Sequence, residues 1–158
     1  MIYRNATLAD VTGVATLFRE LAFHIKNSSK DVYWNFEEMP LDMTEVVVKE
    51  YIENEECCAL VAEENGELVG LMLLEVISCH LPISSHQRIG YIAAGYVREA
   101  YRRQGVMKKL EEMSNEFFRG LSIKYVEVCY LPENAGAKEA WNGMGYKCFR
   151  EQARKCID

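Results

Sequence analysis

The sequence has no long apolar run and no excess of positive charge. None of its apolar stretches approaches the roughly twenty residues that a membrane-spanning helix needs, and the N-terminal residues lack the apolar core of a signal peptide. Lysine and arginine number 18 against 24 acidic residues, which gives a formal net charge of −6. Domains that bind nucleic acid are usually basic. We therefore expect a protein whose partners are neither membrane nor nucleic acid.

Metal-binding and nucleotide-binding motifs are also missing. The six cysteines form no C-x-x-C pair, and the three histidines (His24, His80 and His86) are not at metal-ligand spacing from them. Several cysteines lie in apolar runs, where they behave as small hydrophobic residues. This usage suits a reducing compartment, so we expect a cytoplasmic protein without a metal site. The glycine motifs of P-loop and Rossmann nucleotide sites are absent, which argues against both classes.

What is present is a clear alternation of strand and helix patterns within a single domain, residues 1–158. An Asn-Gly pair at Asn65 predicts a hairpin, and strand–helix–strand crossovers after it predict a parallel pair. The order β-α-α-β-β-β-α-β-α-β therefore predicts an α/β (α+β) fold with a mixed, mostly antiparallel twisted sheet flanked by helices. The predicted strands are Ile2 to Asn5, Cys57 to Ala62, Leu68 to Ser78, Ile89 to Val97, Lys124 to Tyr130 and Tyr146 to about Lys155. The predicted helices run from Thr7 to residues 24–27, from Asp42 or Thr44 through Ile52, from Gly105 to about Arg119, and from Ala135 to Met144.

One basic stretch, residues 101–109, stands out from this acidic chain. It joins the strand that ends at Val97 to an amphipathic helix. The first N–H groups of a helix have no internal partner and carry the positive end of the helix dipole, so a helix start is suited to bind phosphate. Basic side chains oppose the dipole there and are hard to explain as stabilisers. We favour a pyrophosphate-binding loop over an ordinary helix start with a basic first turn.

This turn and its setting resemble the GCN5-related N-acetyltransferase (GNAT) superfamily. The fingerprint of that family, Gln/Arg-x-x-Gly-x-Gly/Ala, lies between its fourth strand and third helix, and here it reads Arg102-Arg103-Gln104-Gly105-Val106-Met107. The resemblance covers most of the chain and implies a GNAT-like fold with acetyl-CoA as cofactor. A second family segment, Asn-x-x-Ala-x-x-x-Tyr-x-x-x-Gly-Phe, is matched by Asn134, Ala137, Trp141, Gly145 and Tyr146.

The resemblance also implies where acetyl-CoA binds. Its pyrophosphate would contact the backbone N–H groups from about Gln104 to Lys108, and its pantetheine arm would lie in a gap between the strands that end at Val97 and Tyr130. Two residues differ from the family pattern: Met107 replaces Gly or Ala, and Trp141 replaces a Tyr that often protonates the departing thiolate. The cofactor-binding residues so predicted are Tyr96, Val97, Arg102, Arg103, Gln104, Gly105, Val106, Met107, Lys108, Asn134 and Trp141.

The implied reaction is direct attack of a primary amine on the acetyl thioester. Tyr130, at a strand end, is the predicted substitute proton donor, and a role as a core aromatic is equally compatible with its position. The strand from Ile89 to Val97 has no carboxylate, so we predict Glu75 as the general base, with His80 and His24 as alternatives. A backbone N–H near Tyr96 or Val97 is the predicted stabiliser of the oxyanion.

The sequence does not name the acceptor beyond a small-molecule or peptide amine. The loop with Tyr33, Trp34 and Phe36 and the loop from His80 to Gln87 are where we expect acceptor selection, because loops carry specificity. Pairing of the final strand with a second subunit would give a homodimer. The missing Tyr and the missing strand carboxylate leave an alternative, an acyl-CoA-binding module with little or no turnover.

Overall fold

A computed structural model describes residues 1–157 and places one mixed sheet between two helical layers. Three short 3-10 turns, Leu8–Asp10, Val32–Trp34 and Glu99–Tyr101, connect the main elements. The strands are β1 (Ile2–Asn5), β2 (Cys57–Glu64), β3 (Glu67–Ser78), β4 (Arg88–Val97) and β5 (Val126–Val128). The helices are α1 (Val11–Ser28), α2 (Leu41–Glu53), α3 (Val106–Gly120) and α4 (Ala135–Gly143).

The strands lie in the sheet in the order in which they occur in the chain. The first four are antiparallel neighbours, and β5 pairs with β4 in parallel. The predicted hairpin and the predicted parallel pair are both confirmed. A register shift between β3 and β4 leaves Ala93 without a partner, since Leu73 pairs with Ala94 and Leu74 with Ile92. This bulge bends β4 just where β5 begins to leave it.

Two buried clusters lie on opposite faces of the sheet because alternate strand residues point to opposite sides. On one face, Leu74, Ile92 and Val97 pack with residues of α3 and α4. On the other, Leu71, Leu73 and Ala94 pack with residues of α1 and α2. The central strand β3 therefore reads as a nearly continuous apolar run, since both of its faces are covered.

The predicted final strand is wrong. Within the described residues, 146–157 form neither helix nor strand. The segment after Arg150 has little to bury in a sheet, and it is held elsewhere: the Arg154 guanidinium donates to Asp31 Oδ2 at 2.6 Å and lies 4.2 Å from the centre of the Tyr33 ring. The C-terminal segment thus contacts the α1–α2 connection, and its predicted role as an edge for a second subunit loses its structural basis.

The fifth strand is shorter than predicted. Its ladder with β4 comprises three pairs, from Gly90–Val126 to Ile92–Val128. Beyond Ile92, β4 continues with β3 alone. The two parallel strands therefore separate toward the C-terminal end of β4, which creates the gap described below.

Candidate active site

The loop between β4 and α3 has a left-handed backbone at two positions. Arg103 has φ 61° and Gly105 has φ 80°, and Gly105 is the N-cap residue of α3. A left-handed residue that is not glycine is uncommon and costs about 1–3 kcal/mol. Backbone that alternates between right-handed and left-handed residues turns successive N–H groups to one side, where they form an anion-binding concavity. We call residues 102–108 the phosphate loop.

The N–H groups of the phosphate loop are free to bind a ligand. Arg102 N–H donates to Glu99 O at 3.1 Å, and Lys109 N–H donates to Gly105 O at 3.0 Å. Among residues 1–157, no group accepts a hydrogen bond from the backbone N–H groups of residues 103–108 between them. Unpartnered N–H donors at a helix start are suited to bind an anion. The local sequence folds this way because Gly105 tolerates the positive φ that starts the helix.

The basic side chains around the loop have different roles. Arg102 turns back onto β4, where its Nε donates to Val97 O at 2.8 Å and its guanidinium lies 5.7 Å from the Tyr96 ring centre. Lys109 pairs with Glu112 at 3.1 Å. Arg103 and Lys108 are exposed, and within the part of the chain that the structure describes neither forms an ion pair. These two cations are therefore the ones available to a bound anion.

The gap beside the loop exposes backbone groups of β4. Arg98 N–H bonds to Val69 O of β3 at 2.9 Å. Since successive residues of a strand point their N–H groups to alternate sides, the N–H groups of Gly95 and Val97 face away from β3, into the gap. The Val97 carbonyl is occupied by Arg102. Of the two predicted oxyanion donors, Val97 has the required orientation and Tyr96 does not.

Met107 and Trp141 line one side of the gap. A Cβ placed on Gly95 would lie 3.4 Å from the Trp141 ring and 3.5 Å from both Met107 Sδ and Met107 Cε. Trp141 is 6% exposed and meets the Tyr146 ring edge-on at 5.3 Å between centroids. Both residues that differ from the family pattern thus contact the strand at the same glycine. Because Gly95 has no side chain, Met107 fits beside β4 at a position where the family has Gly or Ala.

Asn134 begins α4 at the other side of the gap. Its Oδ1 accepts a hydrogen bond from Ala137 N–H at 3.0 Å, so it is the N-cap of the helix. It also lines a cleft of about 140 Å³ between the C-terminal end of α1 and the β5–α4 connection. His24 lines the same cleft, and its ring lies 6.4 Å from that of Tyr96. One of the alternative bases therefore lies at the gap.

Glu75 and Tyr130 lie on opposite faces of the sheet. Glu75 pairs with Tyr91 of β4 and shares the α1–α2 face with Leu73. Burial and the neighbouring Glu75 carboxylate raise the pKa of the Tyr51 phenol, so Tyr51 stays protonated and donates to Glu75. Tyr130 packs with the cluster under α3 and α4. The structure does not bring the predicted acid and base together: Glu75 lies opposite Tyr91, in the part of β4 that still pairs with β5, and Tyr130 packs on the other face.

A cavity lies near the α1–α2 connection, and only part of its lining was predicted from the sequence. The predicted aromatics Tyr33, Trp34 and Phe36 line a cavity of about 420 Å³. Phe18 and Leu21 of α1 complete its walls, although their helical period marks them as core residues. The other predicted selection loop is engaged elsewhere. The His80 ring lies 6.3 Å from the Phe149 ring, and the His86 ring lies 4.8 Å from the Tyr125 ring, measured between centroids.

Two negative findings concern residues 1–157. No helix in this range is long and apolar enough to cross a membrane. No group of three or more His, Cys, Asp or Glu side chains in the same range is placed to hold a metal ion.

Comparison with known proteins supports the assignment of the fold and of the family motif. Residues 20–146 match the family model described as Acetyltransferase (GNAT) family. No curated protein sequence matches the chain significantly. Among solved structures, a mutant of the BH1408 protein from Bacillus halodurans superposes with a TM-score of 0.79 at 18% identity, covering 99% of each chain.

Two further solved structures are aminoglycoside acetyltransferases. AAC(6')-Iy in complex with a bisubstrate analogue, CoA-S-monomethyl-acetylneamine, has a TM-score of 0.80 at 12% identity, covering 99% of this chain and 97% of its own. The aminoglycoside 6'-N-acetyltransferase AAC(6')-IG from Acinetobacter haemolyticus has a TM-score of 0.77 at 14% identity and full coverage of both chains. At these identities the likeness concerns the fold.

Proposed function

Because the chain belongs to the Acetyltransferase (GNAT) family, we propose that it is an acetyl-CoA-dependent N-acetyltransferase that acetylates a primary amine of a small molecule or peptide. One observation carries the proposal. The six unpartnered N–H groups of residues 103–108 lie directly beside the gap between β4 and β5. An anion site next to an opened parallel pair suits a ligand with a diphosphate and a long polar arm. Solved relatives of the same fold were crystallised with CoA or a CoA analogue.

Acetyl-CoA is the cofactor that fits these groups. The backbone N–H groups of the phosphate loop, with Arg103 and Lys108, would hold its diphosphate, since charge-assisted hydrogen bonds to phosphate are strong. The free carbonyl group of Gly95 and the cleft beside Asn134 would hold the arm. Bound acetyl-CoA supplies an acetyl group activated as a thioester, which the amine attacks directly.

We assign three chemical roles to residues of the chain. Glu75, which receives a hydrogen bond from Tyr51, accepts the proton of the amine through water. The N–H groups of Gly95 and Val97 stabilise negative charge on the carbonyl oxygen. Tyr130 Oη provides a proton to the departing sulfur, a modest task because thiols have pKa values near 8.5. His24, at the cleft, is the alternative base.

A second candidate function is a CoA-binding module with little or no turnover. It is favoured by the absence of a carboxylate on β4, among residues 88–97, and by the burial of Trp141 where the family often has Tyr. The cytoplasm stays our expected compartment, on the basis of the cysteine usage alone. A homodimer stays a prediction without a defined interface.

The donor site is tested by Gly105→Asp. The substitution puts a carboxylate at the free N–H groups, and we expect the affinity for CoA to fall at least 100-fold by calorimetry, the equivalent of about 2.7 kcal/mol. Gly66→Asp is the matched control. Gly66 has φ 81° and Gly105 has φ 80°, and an added Cβ has open space at each site. Equal CoA affinities in the two variants would contradict the proposed site.

Turnover separates the two candidate functions. We expect release of free thiol from acetyl-CoA by the wild-type protein with at least one class of primary amine. CoA binding without thiol release across aryl-alkyl, polyamine, aminoglycoside and peptide amines would favour the module.

A further inference from the structure

The outer face of α2 is apolar although it lies in solvent. The inner face of the helix packs on the sheet through Val48, which is fully buried. On the opposite side, Met43 is 66% exposed, Val46 is 64% exposed and Val47 is 40% exposed. Because Val46 and Val47 follow Met43 by three and four residues, the three side chains are neighbours on one face of the helix. We call Met43, Val46 and Val47 the apolar stripe.

The apolar stripe does not contribute to the core. None of its residues belongs to either buried cluster among residues 1–157. Valine also has a lower helix propensity than alanine or glutamate, since its branched side chain loses rotamer freedom in a helix. Exposed valines therefore do not help α2 to form. Single exposed apolar residues are ordinary, but a contiguous apolar surface is typical of a face that another molecule covers.

Negative charge is concentrated around the apolar stripe. Residues 37–56 contain eight carboxylates and one lysine, a formal charge of −7 in a chain whose net charge is −6, so the rest of the chain together carries +1. We call this range the acidic segment. Glu50 lies three residues beyond Val47, and Glu53 lies three beyond Glu50, so both extend the line of the apolar stripe. Both are exposed.

Most of this charge is not neutralised within the chain. Among the residues that the structure describes, only one carboxylate of the acidic segment forms an ion pair, Glu56 with Arg88. Glu45 accepts a hydrogen bond from Thr12 Oγ1 at 2.6 Å, which ties α2 to α1. Like charges that lie close together repel one another and oppose folding. The acidic segment is therefore better suited to a positively charged partner than to the stability of the fold.

We infer that the apolar stripe and the acidic segment form a docking face for a basic amphipathic helix of a partner protein. Apolar side chains of the partner helix pack on the apolar stripe, ridges into grooves, and its lysine and arginine side chains pair with Glu50 and Glu53. The inference is independent of the proposed function. Helix α2 and the phosphate loop with α3 lie on opposite faces of the sheet, so the docking face is separate from the donor site.

The charge of the docking face disfavours two other occupants. A second copy of the chain would bring another acidic segment against the first, and the like charges would repel. Helices that bind membrane surfaces are rich in lysine and arginine, because many headgroups are anionic. Helix α2 has one basic residue, Lys49.

Two synthetic peptides of equal charge test the docking face. The first is a fluorescent peptide of about four helical turns with leucine at spacings of three and four and lysine elsewhere. The second has the same composition in scrambled order, so it has no apolar face. We expect the wild-type protein to bind the ordered peptide about tenfold more tightly by fluorescence anisotropy. Equal affinities would overturn the inference, because charge alone would then explain the binding.

Replacing the apolar stripe by alanine separates docking from folding. In the triple variant Met43→Ala/Val46→Ala/Val47→Ala we expect the ordered peptide to bind about tenfold more weakly. We expect its Tm to equal or exceed that of the wild-type protein, because alanine favours the helix. A lower Tm with unchanged peptide affinity would assign the apolar stripe to the fold and contradict the docking role.

A charge reversal tests the acidic part of the face. We expect Glu50→Lys/Glu53→Lys to weaken binding of the ordered peptide by about tenfold. The matched control is Glu116→Lys/Glu139→Lys, which makes the same change in net charge at exposed positions of α3 and α4. Its affinity should stay within about threefold of the wild-type value. An equal loss in the two variants would show that only the net charge matters and would overturn the inference.

Two measurements test the other occupants. We expect the wild-type protein and the triple alanine variant to have the same mass by sedimentation equilibrium, and neither to bind phosphatidylcholine vesicles. A wild-type dimer that the triple variant loses would assign the face to a second copy. Vesicle binding that the triple variant loses would assign it to a membrane. Either result would overturn the inference and leave the acetyltransferase function intact.

Discussion

At the scale of single residues, the proposed donor site depends on backbone conformation as much as on side chains. Arg103 holds a left-handed φ of 61° although it is not glycine. Such strain persists where the surrounding structure enforces it, and it is common at binding sites. Here it lies within a run of six N–H groups that have no acceptor among the described residues, while Arg102 is bound to the end of β4 through Val97. Among the basic residues, Arg102 therefore holds the loop against β4, whereas Arg103 and Lys108 remain available to a bound anion.

Glu75 is the residue for which a substitution is most informative. Glu75→Gln keeps the side-chain shape and removes the proton acceptor, so we expect kcat to fall by about 100-fold with CoA affinity unchanged. The measurement is thiol release under saturating acetyl-CoA, with calorimetry for CoA. Glu53→Gln, on the exposed end of α2, is the control and should keep wild-type kcat. A normal kcat in Glu75→Gln together with a large loss in His24→Gln would move the role of base to His24.

At the scale of elements, β4 organises the molecule. It pairs with β3 along its length and with β5 over three residues, and the bulge at Ala93 lies where the second pairing ends. Helix α3 packs against its start through Phe118, and the phosphate loop follows its end. The position of α3 on the sheet therefore determines where its free N–H groups lie relative to the gap.

The absence of a side chain at Gly90 allows α3 to pack closely on β4. A Cβ at this position would lie 2.8 Å from two carbons of the Phe118 ring. Phe118 is fully buried. We expect Gly90→Ala to cost about 1–3 kcal/mol of unfolding free energy and to lower Tm by about 3–10 °C in a thermal melt.

The control for this prediction is Gly120→Ala at the end of α3, where an added Cβ meets nothing within 4 Å. Its Tm should equal or exceed that of the wild-type protein, since alanine restricts the unfolded chain. An unchanged Tm in Gly90→Ala would mean that α3 shifts on the sheet at no cost.

At the scale of the whole molecule, one ionic cluster ties the N-terminal edge strand to the rest of the sheet. Arg4 of β1 donates to Asp10 Oδ2 and to Glu63 Oε2, both at 2.7 Å. Asp10 also accepts from Thr7 N–H at 2.8 Å. The cluster joins β1 and the adjoining turn before α1 to β2, which is 59 residues further along the chain at Glu63. It thus helps to close the sheet over the α1–α2 layer.

The cluster makes stability depend on pH in the acidic range. The Arg4 guanidinium holds the pKa of the Asp10 carboxyl well below its usual range. A depressed folded-state pKa contributes stability that is fully present above the unfolded pKa of about 3.9, declines below it, and is lost as the pH falls through the folded-state pKa. We expect Asp10→Asn to lower the unfolding free energy by about 1–3 kcal/mol at pH 7 and by less at pH 3, where most unfolded chains carry a protonated Asp10. Equal losses at both pH values by denaturant titration would contradict an ionic origin.

Periodicity predicted the order of the elements through α4 and the kinds of strand pairing, because apolar residues repeat at strand or helix spacing, and the basic turn predicted the loop that joins β4 to α3. The sequence could not predict that β5 pairs over only three residues, since Lys124 to Tyr130 has one continuous strand-like pattern. The prediction of a final strand was wrong for a related reason. Tyr146 and Phe149 suggest a strand, but the ion pair between Arg154 and Asp31 joins residues too distant in the sequence for any pattern to reveal. The roles of Phe18 and Leu21 in the cavity were hidden for the same reason, because wall residues and core residues share one helical period.

The contact between Arg154 and the α1–α2 connection has a practical consequence for assays. The Arg154 side chain is 40% exposed in its ion pair with Asp31, and Tyr33, on which it stacks, is 78% exposed. Dissolved salt screens such pairs, whereas the folded-back Arg102 is anchored to a carbonyl within the chain. We therefore expect ionic strength to loosen the contact between the C-terminal segment and the α1–α2 connection, so assays of the two candidate functions need matched buffers.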